Sequence, residues 1–151
     1  MNNLFSYLLF FLLIFFGCDR ERQNENASIQ NLSVQEKMRF NQYMVYGQTL
    51  YTQHCSNCHQ EEGTGLRRVI PPLAKSDYML EDIKRTVCLI RYGLEDTIKV
   101  NGQAYHQKMP ANEKLTALEI AQITTYITNT WGNDKGYISV KETTEHLESC
   151  K

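Results

Sequence analysis

Cys55-Ser56-Asn57-Cys58-His59 sets two thiols three positions apart and puts an imidazole directly after the second. Two thiols at that spacing can each add to one vinyl group of a single porphyrin. The next residue then offers a ring nitrogen to the iron as proximal ligand. The pattern is the attachment signature of a c-type haem, with Cys55 and Cys58 as anchors and His59 as ligand. A zinc knuckle uses the same residue types, as does a chance match. Zinc, however, needs four ligands, usually from a second Cys/His pair at short spacing. Cys88 and Cys150 stand alone, so no such pair exists. There is no second C-x-x-C-H, which predicts one haem.

A proximal histidine needs its other ring nitrogen held by an acceptor. Ile70-Pro71-Pro72-Leu73 is stiff and extended, because proline fixes its own φ and biases the residue before it. The Pro71 carbonyl is a candidate acceptor; a simple turn accounts for the same residues. Met109-Pro110 offers a sixth ligand. A thioether is soft and neutral and raises the reduction potential of a haem iron, and Pro110 would stiffen the strap that carries it. Most methionines merely fill gaps in a core, and that reading stays open here. His106 is the serious rival; Met38, Met44 and Met79 are weaker ones.

The elements that must hold these groups read as helices. Ser33-x-x-Glu36 is a capping-box pattern, and Phe40, Met44, Gly47 and Tyr51 recur behind it at helical spacing. That helix delivers the chain to Cys55. Ser76 or Asp77 can cap a second helix running to about Tyr92, with Leu80, Ile83, Val87 and Ile90 as its stripe and Gly93 as its stop. Val100-Asn101-Gly102-Gln103 predicts a tight hairpin turn. Thr116-x-x-Glu119 opens a late helix bearing Ile120, Ile123 and Ile127, with Gly132 as its end. Ser139-x-x-Glu142 opens a short tail helix with Val140, Leu147 and Cys150 along one stripe.

The N-terminus reads differently. Leu4 to Phe16 is almost wholly apolar, too short to span a bilayer and of signal-peptide length. Residues 1–17 are therefore expected to be a signal peptide. Gly17-Cys18 resembles a bacterial lipoprotein cleavage site, which implies lipid on Cys18; an ordinary signal peptide with an incidental Cys is the alternative. Residues 18–32 are polar and read as a lipidated tether. Residues 33–151 are left as one domain with a tail helix. The chain has five cysteines and a formal net charge of −1, so no basic field suggests nucleic acid. With Cys18, Cys55 and Cys58 assigned, Cys88 and Cys150 form an even pair in an exported chain, where disulfides persist. A Cys88–Cys150 bridge is expected, two free buried thiols being the alternative.

Taken together, these residues resemble the class I cytochrome c family over about Ser33 to Trp131. The resemblance rests on Gly47-x-x-x-Tyr51, Cys55-Ser56-Asn57-Cys58-His59, Pro71 followed by Leu73, Met109-Pro110 and Tyr126. It implies an all-α fold around one covalent haem, with the first and last core helices crossing at Gly47, Tyr51 and Tyr126. It also implies Pro71 as acceptor from His59. Pro71 to Tyr78, Val100 to Tyr105 and Thr125 to Asn133 resemble small cytochrome domains, some of them fused to copper nitrite reductases or quinoprotein dehydrogenases. The expectation is a monohaem electron carrier rather than an enzyme, exported and lipid-anchored facing the periplasm, exchanging electrons with redox partner proteins. The alternatives are a haem sensor or peroxidase-like enzyme with a labile sixth ligand, or an electron-carrying subunit of a membrane respiratory complex.

Overall fold

The computed structural model describes residues 27–150. The expected signal peptide and the lipid-bearing Cys18 lie outside the described residues.

Helix α1, Val34–His54, begins where its cap requires. The Ser33 hydroxyl accepts from the Glu36 N–H at 3.3 Å, and the Glu36 carboxylate accepts from the Ser33 N–H at 2.9 Å. Both orphan donors are thereby satisfied. Phe40, Tyr43, Gly47 and Tyr51 form its buried face, and Met44 packs at the border of the core. Cys55 leaves the helix at φ −125°, and one further turn, α2 (Ser56–His59), follows.

The helix expected over 76–92 is two helices, α3 (Asp77–Glu81) and α4 (Ile83–Tyr92). Asp82 between them is extended at φ −140°, and its carboxylate accepts from the Arg85 N–H at 2.9 Å. An aspartate that caps a new helix competes with continuation of the old one. Antiparallel strands β1 (Ile98–Val100) and β2 (Gln103–Tyr105) come next. Asn101 and Gly102 join them with φ of 49° and 81°, the paired left-handed geometry that matches strand twist.

Helix α5 (Ala117–Ile127) has a reciprocal capping box at Thr116 and Glu119. It stops at Ile127, short of the expected Gly132. The Thr128 hydroxyl donates to Thr124 O at 2.7 Å, and Asn129 Nδ2 donates to Thr125 O at 2.7 Å and to Gly136 O at 2.8 Å. Side chains thus satisfy the last carbonyls and turn the chain before glycine is reached. In α6 (Val140–Glu148) the expected stripe shifts: Val140 is 39% exposed, and Thr143 is fully buried in its place. Residues 143, 147 and 150 keep closer helical register than 140, 147 and 150.

Part of the tether expected over residues 18–32 is structured. Ala27–Ile29 forms a 3₁₀ turn in which Ile29 is buried, and the Ser28 N–H donates to Asp134 at 3.3 Å. The one large apolar residue of that turn finds something to bury.

The fold is all-α apart from the hairpin. Its most extensive helix contact is α1 across α5, and Tyr51, Met79, Val87, Ile90, Ile120, Ile123 and Ile127 make the core. Helix α6 lies against α4 and α5, and a disulfide joins Cys88 of α4 to Cys150, with Cα atoms 5.6 Å apart. A loop closed over a sequence separation of 62 stabilises by roughly 4 kcal/mol on the loop-entropy model.

Candidate cofactor site

The end of α1 throws Cys55, Cys58 and His59 onto one wall of an apolar cleft. Local hydrogen bonds hold them there. Cys55 N–H donates to Tyr51 O at 2.8 Å, His59 N–H to Cys55 O at 2.9 Å, and Gly65 N–H to His59 O at 2.9 Å. The buried Tyr51 hydroxyl donates to Gln60 O at 2.6 Å, tying the helix core to the loop beyond the motif.

His59 is buried, and its Nδ1 lies 3.1 Å from Pro71 O. A carbonyl can only accept, so Nδ1 carries the proton and Nε2 keeps its lone pair. Burial pushes the His59 pKa down, against the smaller upward pull of the Pro71 carbonyl. The ring is therefore neutral near pH 7 and able to ligate a metal. Both thiols are free; Cys58 is exposed and Cys55 half-buried. Burial, and after it the Cys58 thiol, raises the Cys55 pKa to about 12, so its sulfur stays protonated.

A strap also lines the cleft. Leu94 and Met109 exchange two backbone hydrogen bonds of 2.9 Å, and Met109 is half-buried on the cleft lining beside Pro110. A Cβ on Gly93 would come within 2.5 Å of Met109 O, so the strap closes directly against that glycine. His106 is absent from the wall: it is exposed, with Nδ1 2.9 Å from the Thr97 hydroxyl. Met38 is 68% exposed on α1. Met79, at 4% exposure, shares the lining with Met109 but is packed into the hydrophobic core.

The cleft encloses about 930 Å³ outside protein atoms, part of it open to solvent. Ile70, Leu89, Leu94, Ile98 and Val100 make its walls apolar. Two free thiols, a neutral imidazole with an available nitrogen and a thioether, all on one apolar cleft, fit a covalently held haem. Among the described residues no group of three or more His, Cys, Asp and Glu is placed to hold a metal ion.

Several contributors fall in the stretches that carry the resemblance, but no role at the site was read from their spacing. Tyr78 and Tyr105 line the cleft. Asn133 is buried and accepts from the Lys75 N–H at 2.8 Å, while donating to Leu73 O at 3.0 Å and Ile127 O at 2.7 Å. It thereby ties the segment after Pro71 to the end of α5. Its partners stand up to 60 residues away in sequence, so no spacing rule could have found them.

Residues 44–131 match the family model for cytochrome c. Cytochrome c-552 of Thermus thermophilus is 32% identical over 93 residues, which cover 59% of this chain and 70% of that protein. A second cytochrome c-552 of the same species is matched at the same identity over 62% of its length. The cytochrome c subunit of the quinone alcohol dehydrogenase of Gluconacetobacter polyoxogenes is also 32% identical over 93 residues, 19% of that protein.

Proposed function

This chain belongs to the cytochrome c family, and from that premise we propose that it is a monohaem electron carrier rather than an enzyme. The observation that carries the reading is the placement of Cys55, Cys58, His59 and Met109 on one apolar cleft. Cys55 and Cys58 would hold the haem through thioether bonds, and His59 and Met109 would ligate its iron. When bound, haem supplies a one-electron ferric–ferrous couple.

The chain's own residues do the rest. The Pro71 carbonyl keeps the proton on His59 Nδ1, so Nε2 is always presented as a lone pair. The strap holds the Met109 side chain at the cleft through its paired bonds with Leu94. The apolar walls exclude water, which limits reorganisation around a change of charge. If His59 and Met109 both ligate the iron, no coordination position would be left for a substrate.

The carrier is proposed to be exported and anchored by lipid on Cys18, facing the periplasm. Two features support this. One is the apolar run Leu4 to Phe16 ending at Gly17-Cys18. The other is the Cys88–Cys150 disulfide, which suits an oxidising compartment. Its partners would be an oxidase, a reductase or a dehydrogenase of a respiratory chain. The likeness to a dehydrogenase's cytochrome subunit favours, as a second reading, an electron-carrying subunit of such an assembly.

A spectroscopic redox titration of the holo-protein tests the carrier. One reversible one-electron transition is expected, with no peroxide turnover and no ready uptake of carbon monoxide by the ferrous form. Ready carbon monoxide binding together with peroxide turnover would sink it in favour of an enzyme or sensor.

A further inference from the structure

The strap that bears Met109 is one closed loop from Leu94 to Met109, fastened within itself along its length. Its base is the Leu94–Met109 bridge. Above that, Lys108 pairs with Glu95 at 3.1 Å, Thr97 with His106 at 2.9 Å, and β1 with β2 from Ile98–Tyr105 to Val100–Gln103.

Its tip is fastened to something else. Asn101 N–H donates to Asp77 Oδ1 at 2.7 Å, and Asp77 N–H donates to Asn101 Oδ1 at 3.1 Å. Among the described residues, these two are the only hydrogen bonds that run from residues 95–108 to the rest of the domain. Asp77 opens α3, which packs against β1 and carries Tyr78 and Met79 on the cleft lining. Neither Asp77 nor Asn101 lines the cleft itself. Asn101 is suited to the place twice over. At φ 49° it forms the left-handed turn, a conformation that Asn tolerates well. Its amide is also left free to reach back.

We propose that Asp77 and Asn101 are positioning residues for the axial sulfur, a reciprocal latch that sets how often the Met109 strap lifts from the cleft. The inference rests on Met109 being the sixth ligand. The buried side chains of Val100 and Tyr105 also hold the hairpin, but only the two bonds fasten its tip by hydrogen bonding, and each bond that closure makes lowers the population in which the strap opens locally without unfolding the helices. Loss of the latch therefore raises that population while the α1–α5 core stays closed.

The test uses ferric holo-protein in three variants: Asp77→Ala, Asn101→Gly and Asp77→Asn. Asn101→Gly keeps the turn and removes the amide; Asp77→Asn keeps a carbonyl oxygen as acceptor. Asp77→Ala and Asn101→Gly each remove one of the two latch bonds and keep the other, and are expected to take up cyanide up to about tenfold faster, the scale of one lost hydrogen bond. The Leu94 and Met109 amides should exchange with solvent faster by a similar factor, with the Tyr51 and Ile123 amides unchanged. Asp77→Asn should stay within about twofold of wild type, because its acceptor remains. Wild-type cyanide rates in Asp77→Ala and Asn101→Gly, with the ferric sulfur-to-iron band intact, would overturn the latch. So would faster exchange spread evenly over α1 and α5, which marks general destabilisation. A wild-type protein without that band would overturn the Met109 assignment, and the latch with it.

Discussion

Replacing Met109 by alanine is expected to abolish the ferric sulfur-to-iron absorption band and to lower the reduction potential by on the order of 100 mV. Met109 is the one methionine of the strap, half-buried on the cleft lining and fixed by two backbone bonds to Leu94. A thioether favours ferrous iron, so its loss moves the couple toward the ferric form. The vacated position should then take cyanide without competition. The backbone bonds at 94 and 109 do not need the side chain, so the fold should survive the change. Met79→Ala is the control, because Met79 is the other thioether on the lining. It should keep the band and lose stability instead, as removal of a buried core methionine costs about 2–5 kcal/mol. Visible spectra and redox titrations of both variants decide the matter. A band that survives Met109→Ala and vanishes in Met79→Ala would reassign the ligand.

Gly47→Ala is the second large effect, and it falls on stability. A Cβ at Gly47 would lie 2.2 Å from Gln122 O and 2.7 Å from Tyr126 Cβ. Those atoms belong to α5 where it crosses α1, and two of the three nearest are backbone, which cannot rotate aside. Alanine normally gains about 1 kcal/mol over glycine inside a helix. Here the helices must separate to admit a methyl group, loosening the contact that unites the core. Overpacking of this kind costs about 3 kcal/mol, so a net loss of about 2 kcal/mol is expected after the helix gain. That is a sizeable share of a small domain's total stability. Urea denaturation of the holo-protein gives the answer; a midpoint equal to or above wild type would show that helix propensity prevails and that the crossing is loose.

What could be read from the residues was what is encoded over short spans. Cys55, Cys58 and His59 lie within about one turn and announce their chemistry by spacing alone. The capping boxes at Ser33 and Thr116 pair residues three apart, and both form with reciprocal bonds. Asn101-Gly102 makes its turn for the same local reason. Errors arose where a local signal competed with a longer pattern. Leu80, Ile83, Val87 and Ile90 keep helical spacing across Asp82, so the break between α3 and α4 was hidden; only the Asp82 side chain, acting as a cap, creates it. Gly132 looked like the end of α5, yet Thr128 and Asn129 end it earlier with their own side chains. Val140 looked buried by type and is not.

Contacts between distant segments were beyond reach altogether. Asp77 and Asn101 are 24 residues apart, and Asn133 and Leu73 are 60 apart. Both pairs brace segments that border the site, yet Asp77, Asn101 and Asn133 are residue types of ordinary polar loops. The chemistry was legible because covalent attachment demands a rigid spacing; the support around it was not, because hydrogen-bonded bracing can be built from many sequences.

The most direct measurement is the intact mass of protein matured in a host able to form these linkages, taken after acid–acetone extraction. The mass of the processed chain plus one haem is predicted, with the porphyrin retained on the peptide that carries Cys55 and Cys58. A bare polypeptide mass, with both of those thiols open to alkylation, would contradict the account.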